Sequence, residues 1–139
     1  MAKIELQNIA HSYNPQSAEQ NYALNPFNMT WEDGGRYAIL GPSGCGKTTM
    51  LNIMSGIVHP SEGKLLFDGV DVTKLSTSER NIAQVFQFPV IYGTMSVEQN
   101  LAFPLVCRNY EKPAIDAKVN EVAEALGLQE LLTKSASRL

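Results

Sequence analysis

Alternating apolar and polar residues predict a pair of strands at the start of the chain. Residues 4–9 alternate as a half-buried strand does, and residues 11–13 extend the pattern. Residues 14–21 are polar and predict a loop. Residues 22–31 predict a second strand, which Pro26 restricts to the edge of a sheet or to a break.

Apolar runs predict two buried strands in the middle of the chain. Residues 36–40 form a short apolar run, and residues 48–55 predict a helix that Gly56 ends. Residues 82–87 predict another strand, and residues 88–95, which include proline and glycine, predict a loop after it. A strand, a helix and a later strand in this order are typical of an α/β fold.

A hairpin lies between these two predicted strands. Residues 64–67 predict a strand, and Asp68-Gly69 is a strong hairpin signal that predicts a return arm at residues 70–72. Residues 76–80 predict a short helical turn. The first part of the chain is therefore rich in strands.

The last part of the chain is predicted to be helical. Ser96 is a candidate N-cap with Gln99 at the capping-box position. Residues 113–126 predict an amphipathic helix that ends at Gly127, and residues 129–133 predict one more short helix. The apolar face of the longer helix consists of Ile115, Val119, Val122, Ala123 and Leu126.

Composition excludes several functional classes. The chain has 139 residues, enough for one domain, and 44% hydrophobic residues, enough for a core. A net charge of −3 argues against a general nucleic-acid binder. Cys45 and Cys107 form neither a disulfide framework nor a metal-ligand set, and His11 and His59 lack partners at metal-ligand spacing, so both histidines are expected to be structural or solvated. The sequence has neither an apolar signal core at its start nor a run long enough to span a membrane.

Residues 41–48 carry the clearest chemical signal. They fit the pattern G-x-x-x-x-G-K-[ST], in which backbone N–H groups form a nest for phosphate oxygens. Lys47 would place its charge near the β- and γ-phosphates, and the Thr48 hydroxyl would bind Mg²⁺. The loop follows a predicted strand and opens a predicted helix, which is the context that this motif requires.

Other segments narrow the family. The loop is GPSGCGKTT, residues 11–13 are His-Ser-Tyr, residues 85–87 are Val-Phe-Gln, and residues 96–101 are SVEQNL. Together they resemble the ATP-binding subunit of ABC transporters, and in particular the sugar and polyol importers typified by the maltose-importer ATPase. Glu98 and Gln99 depart in order from the family's S-V-x-E-N-L pattern. The resemblance covers the whole chain.

The resemblance assigns functional residues. It implies that Tyr13 stacks on adenine, that Lys47 and Gln87 take part in catalysis, and that Thr48 and Gln87 bind Mg²⁺. The residues that it assigns to ATP are Tyr13, Gly41, Pro42, Ser43, Gly44, Cys45, Gly46, Lys47, Thr48 and Thr49. For Tyr13 and Gln87 the alternatives are an ordinary tyrosine at a strand end and a loop glutamine without a role.

The resemblance also implies a fold and its division. The expected fold is an incomplete α/β P-loop NTPase fold of the ABC ATPase type. Residues 1–95 would form the antiparallel β subdomain and the P-loop core up to Gln87, and residues 96–139 would begin the helical subdomain. The family's signature loop, catalytic glutamate and switch histidine do not appear, so we expect this N-terminal piece to hydrolyse ATP negligibly by itself.

The implied function of the intact protein is energy coupling. It would bind ATP and Mg²⁺, form a head-to-tail dimer with a second ATPase subunit, and drive import of a sugar, polyol or related phosphate ester. Its membrane partners would be permease subunits bound through the loop after Gln87, and its location the cytoplasmic face of the membrane. The alternatives are a non-catalytic nucleotide-binding or assembly module and a soluble ABC-type ATPase outside transport.

Overall fold

The chain divides into two units, Met1–Val85 and Phe86–Leu139. The computed structural model in which they are seen describes residues 2–14, 22–88 and 90–139. The predicted loop at residues 14–21, except Asn14, and Pro89 of the loop at residues 88–95 lie outside the described residues. The subdomain boundary expected after residue 95 stays a prediction.

The first unit contains a four-stranded antiparallel sheet. Its strands are β1 (Ile4–His11), β2 (Leu24–Trp31), β3 (Glu62–Phe67) and β4 (Val70–Asp71), in the order β2-β1-β3-β4. The predicted strands and hairpin in these regions are confirmed. Strand β2 is at the sheet edge, where the missing N–H of Pro26 is tolerated.

Strand β1 does not keep one alternation along its length. Its pairing with β2 shifts between Leu6 and Ile9 and again between Ile9 and His11. Asn8, between the first two, has a φ of 49°, outside the β region. As a result Leu6 is buried before the irregularity, and Ile9, Ala10 and His11 are all buried after it.

Helix α1 (Lys47–Ser55) provides the other half of the first core. Gly56 ends it in the left-handed conformation, with the cap N–H groups bonded to the carbonyls of Asn52 and Ile53. The buried apolar residues of the helix pack with those of the sheet because both present one apolar face. This core consists of Leu6, Ile9, Met50, Ile53, Met54, Leu65 and Val72.

Arg80 is buried at the carboxyl end of α1. Its side chain is 4% exposed and donates hydrogen bonds to the carbonyl oxygens of Ile53 (2.6 Å) and Met54 (3.1 Å) in the last turn of the helix. It also donates to the carbonyls of Thr73 and Leu75, each at 3.0 Å. Burial lowers the pKa of the guanidinium, which nevertheless stays charged and interacts favourably with the helix dipole. Arg80 therefore joins α1 to the segment after β4.

Two predicted strands are not formed. Neither residues 36–40 nor residues 82–87 pair with a strand, and Leu40 and Val85 are 90% and 98% exposed. A buried strand needs a hydrogen-bonded neighbour, and the four strands of the described sheet offer these segments none. Ile39 alone of its run packs partly against the first core.

The second unit is helical, as predicted. Helix α2 (Val97–Cys107) begins at Ser96, whose hydroxyl accepts from the Gln99 N–H at 3.1 Å, while the Gln99 side chain accepts from the Ser96 N–H at 2.9 Å. The N–H groups of Val97 and Glu98 donate to the carbonyls of Lys134 and Leu132, each at 2.9 Å. The first turn of α2 therefore has partners for its exposed N–H groups.

Helix α3 (Lys112–Leu126) packs on α2 through part of its predicted apolar face. Val119 and Ala123 are buried, whereas Leu126 is exposed, and Gly127 ends the helix with a φ of 66°. A 3-10 turn at Gln129–Leu131 takes the place of the last predicted helix. Within the described ranges, the helices are too short or too polar to span a membrane.

We expect Arg80→Met to destabilise the first unit by at least about 2 kcal/mol. The substitution removes four hydrogen bonds and leaves the buried carbonyl oxygen of Met54 without its donor, and such a group costs roughly 1–3 kcal/mol. Chemical denaturation monitored by circular dichroism would measure the effect. Arg36→Met removes an exposed arginine from the same unit and should change stability by less than about 0.5 kcal/mol. Equal effects of the two changes would contradict this role of Arg80.

We expect Ser96→Ala to destabilise the second unit by about 1 kcal/mol, because it removes the oxygen that caps α2. The measurement is the denaturation midpoint of the second unit. Ser96→Asp is the matched control, since aspartate caps as well as serine and favours the positive end of the helix. A loss of the same size in both variants would show that the cap is not the cause.

Candidate functional site

The glycine-rich loop before α1 has the geometry that its sequence predicts. Gly44 and Gly46 have φ values of 82° and 92°, in the left-handed region, and Gly46 is the N-cap of α1. A Cβ atom on Gly46 would lie 2.8 Å from the carbonyl oxygen of Ala23. Both the backbone conformation and this close approach therefore require glycine at position 46.

The first turn of α1 has backbone N–H groups that make no intrahelical hydrogen bond. The first intrahelical hydrogen bond runs from Met50 N to the Gly46 carbonyl at 2.9 Å, so the N–H groups of Lys47, Thr48 and Thr49 precede the ladder. No side chain caps this end and its first turn holds no acidic residue. Unpaired N–H groups and the helix dipole together favour an anion at this position.

A cavity of about 380 Å³ lies over this end of the helix. It brings Tyr13, from the end of β1, together with the loop, although 30 residues separate Tyr13 from Ser43 in the sequence. The lining residues are Tyr13, Ala23, Ser43, Gly44, Gly46, Lys47, Thr48 and Thr49. An aromatic ring, a cation, hydroxyls and backbone N–H groups thus face one space, which is the donor set that a nucleotide needs.

Tyr13 is held at the side of this cavity. Its hydroxyl lies 3.2 Å from the Thr49 hydroxyl, and its ring meets the His11 ring edge to face with centroids 4.5 Å apart. The side chain is nevertheless 65% exposed. A ring that is anchored and still exposed can offer a face for stacking.

Lys47 is folded back onto the loop. Its ammonium donates to the carbonyl oxygens of Gly41 and Pro42, each at 2.7 Å, and lies 3.6 Å from the sulfur of Cys45. Gly41, Pro42 and Cys45, which do not line the cavity, therefore contact Lys47, which does line it. Lys47 is half-buried, and carbonyl groups of the loop hold its ammonium.

Gln87 belongs to the second unit and is exposed. It comes directly before a loop with large exposed apolar side chains: Phe88 is 76% exposed and Val90 is 73% exposed. Asn100 of α2 orders the end of this loop, since its side chain accepts from the Tyr92 N–H at 2.8 Å and donates to the Tyr92 carbonyl at 3.1 Å. The catalytic and metal-binding roles of Gln87 stay predictions.

Sequence reasoning missed one residue at this site. Ala23 lines the cavity through its position beside Gly46, and nothing in the sequence around it signals this. His11 was expected to be structural or solvated, and it is structural: it is 8% exposed and its ring contacts Tyr13.

A larger cavity of about 800 Å³ lies elsewhere in the first unit. Trp31 and Tyr37 stack in its wall with ring centroids 5.3 Å apart, and Arg80, which also lines it, is occupied by four carbonyl oxygens. Size alone would favour this cavity. The convergence of unpaired N–H groups, a cation and hydroxyls favours the smaller one.

Curated relatives match over most or all of the chain. The trehalose import ATP-binding protein SugC of Mycobacterium tuberculosis is 40% identical over 139 residues, which are 100% of this chain and 34% of SugC. The sn-glycerol-3-phosphate import ATP-binding protein UgpC of Jannaschia sp. is 40% identical over 100% of this chain and 39% of its own length. The spermidine/putrescine import ATP-binding protein PotA of Hahella chejuensis is 39% identical over 84% of this chain and 32% of PotA. The chain thus spans between 32% and 39% of the length of these relatives.

A solved structure and a family model agree with these relatives. The ATP-binding cassette MJ0796, solved as a dimer in a post-hydrolysis state with ADP and Pi, matches with a TM-score of 0.83 and 26% identity over 98% of this chain and 62% of that chain. The family model described as ABC transporter matches residues 24–139. The expected fold is therefore confirmed, and the chain belongs to the ABC transporter family and has the fold of its ATP-binding cassettes.

Proposed function

We propose that this chain supplies the ATP-binding site of an ATPase subunit that powers solute import through membrane partners. The observation that carries the proposal is the cavity that Tyr13 shares with the loop and the first turn of α1. Family membership supports ATP as the nucleotide, and the geometry supports a division of labour between the aromatic ring and the loop.

The loop would bind the polyphosphate. The N–H groups at the start of α1 and the nest formed around Gly44 and Gly46 would donate to phosphate oxygens, and Ser43 would lie near the γ-phosphate. Lys47 would exchange its contacts with the carbonyls of Gly41 and Pro42 for contacts with phosphate oxygens. That exchange replaces neutral acceptors by charged ones, which strengthens each hydrogen bond.

The residues present also fit Mg²⁺. The Thr48 hydroxyl lines the cavity, and no cluster of three or more histidine, cysteine or acidic residues occurs in the described part of the chain. Mg²⁺ commonly keeps few protein ligands beside substrate phosphates and water, so a single hydroxyl is an adequate protein contribution. Thr48 would hold the ion, and we propose Gln87 as a second ligand. A bound Mg²⁺ would neutralise developing charge on the phosphates.

Tyr13 would hold the purine. Stacking needs an exposed aromatic face beside the phosphate site, and Tyr13 meets both conditions in the structure. Stacking tolerates different bases, so this contact would contribute affinity for a nucleoside more than discrimination between nucleosides.

The intact protein would hydrolyse ATP as a head-to-tail dimer. Lys47 and Gln87 would take part in catalysis, which also needs a positioned water and charge stabilisation that the partner subunit would supply. The exposed apolar side chains after Gln87, among them Phe88 and Val90, support this loop as the contact with permease subunits at the cytoplasmic face. SugC and UgpC favour a sugar, a polyol or a related phosphate ester as the solute, whereas the polyamine importer PotA shows that this relationship does not fix it.

We expect Lys47→Ala to weaken ATP binding by about 2 kcal/mol or more, because a hydrogen bond between charged groups contributes roughly 1.5–3 kcal/mol. Calorimetric titration with Mg-ATP would measure the effect, and hydrolysis by the protein assembled with its permease subunits should be lost. Lys74→Ala, which removes an exposed lysine from the same unit, is the control and should bind as the wild type does. Undiminished ATP binding by Lys47→Ala would refute the proposed phosphate site.

We expect Tyr13→Ala to weaken ATP binding by about 1–3 kcal/mol through loss of base stacking. Inorganic tripolyphosphate, which lacks a base, should bind the variant and the wild type equally. Tyr13→Phe keeps the ring and loses only the contact with Thr49, so it should retain most of the affinity. A parallel loss for ATP and tripolyphosphate in Tyr13→Ala would argue that Tyr13 supports the loop and does not bind the base.

A further inference from the structure

A buried histidine ring supports the exposed Tyr13 ring. The His11 and Tyr13 rings lie 4.5 Å apart at an interplanar angle of 87°, the edge-to-face arrangement that aromatic pairs favour. His11 is 8% exposed and Tyr13 is 65% exposed. The contact therefore restrains the exposed Tyr13 side chain against the His11 ring, which the fold holds in place.

The fold holds His11 from several sides. Its carbonyl oxygen accepts from the Ala23 N–H at 2.9 Å, which closes the end of the pairing between β1 and β2. Its Nδ1 lies 3.4 Å from the hydroxyl of Ser61, and the same hydroxyl accepts from the Ser12 N–H at 3.1 Å. His11 thus has little freedom to turn away from Tyr13.

The other ring nitrogen of His11 has no role in hydrogen bonding here. Nε2 is buried and has no hydrogen-bond partner in the part of the chain that the structure describes. A buried polar atom without a partner is unfavourable, so Nε2 does not explain what the side chain contributes. Besides the 3.4 Å approach of Nδ1 to Ser61, the contribution of the side chain is the contact of its ring with Tyr13.

Tyr13 is held at its other end as well. Its hydroxyl lies 3.2 Å from that of Thr49, which is 9% exposed in the first turn of α1. One contact fixes the ring and the other fixes the phenol oxygen. Such a side chain has already lost rotamer freedom that an unsupported tyrosine would lose on stacking.

We propose that His11 is a positioning residue for the nucleotide base. It holds the Tyr13 ring beside the phosphate cavity so that stacking on a purine requires no further ordering of the tyrosine. The inference rests on the proposed function, in which Tyr13 binds the base, and it assigns the required chemistry to the aromatic ring of His11 and not to its nitrogens.

Two apolar substitutions of His11 test whether its aromatic ring is the part that supports Tyr13. His11→Leu fills the site with an apolar side chain that has no ring, and His11→Phe keeps a ring without nitrogens. The readout is the ratio of the dissociation constants for tripolyphosphate and ATP, measured by calorimetry on the intact protein. This ratio isolates the contribution of the base, because a general loosening of the loop would weaken the binding of both ligands.

We expect His11→Leu to reduce this ratio about two- to tenfold through weaker ATP binding, with tripolyphosphate binding unchanged. His11→Phe should keep the wild-type ratio. His59→Leu, which removes the exposed histidine of the same unit, is the matched control and should also keep it.

The possible failures are distinguishable. A wild-type protein that binds ATP no better than tripolyphosphate would overturn base stacking itself, and this inference with it. A wild-type preference for ATP that His11→Leu retains in full would overturn only the role of His11. A loss in His11→Phe as large as that in His11→Leu would overturn the assignment to the ring.

Discussion

The packing of α1 against the sheet determines where every other part of the site lies. Ile53 of the helix is fully buried against Ile9 of β1 and Leu65 of β3. Removing a buried isoleucine side chain from such a contact costs about 2–5 kcal/mol, which is a large part of the stability of an ordinary domain. The position of the helix fixes its first turn and hence the loop, so the phosphate site depends on an apolar contact that a ligand never touches.

Arg80 completes this arrangement at the other end of the helix. The apolar core can hold α1 on the sheet but cannot satisfy the carbonyls at its carboxyl end, which need donors. Arg80 donates to two of them, those of Ile53 and Met54, while joining the helix to the segment after β4. A buried charge is tolerable here because four carbonyl oxygens surround it. In the described part of the chain the amino end of α1 has no comparable partner, and this asymmetry leaves it available for an anion.

The sequence predicted those features that depend on local chemistry. The strand β1, the Asp68-Gly69 turn and the Ser96 capping box each need only a few neighbouring residues, and each was confirmed. The predictions of strands at residues 36–40 and 82–87 were wrong, because an apolar run does not specify which strand would pair with it. The loop and Tyr13 could be predicted as parts of one site from motif and resemblance. The support that His11 gives to Tyr13 could not be predicted, because it depends on the irregularity at Asn8 that buries three successive residues of β1.

The same irregularity links the two halves of the site. It brings His11 inward at the end of β1, next to Tyr13, and Tyr13 in turn reaches Thr49 in the first turn of α1. Thr49 also lines the cavity, and its N–H precedes the helical ladder. One helical turn therefore carries both the donors suited to phosphate and the hydroxyl that holds the aromatic ring.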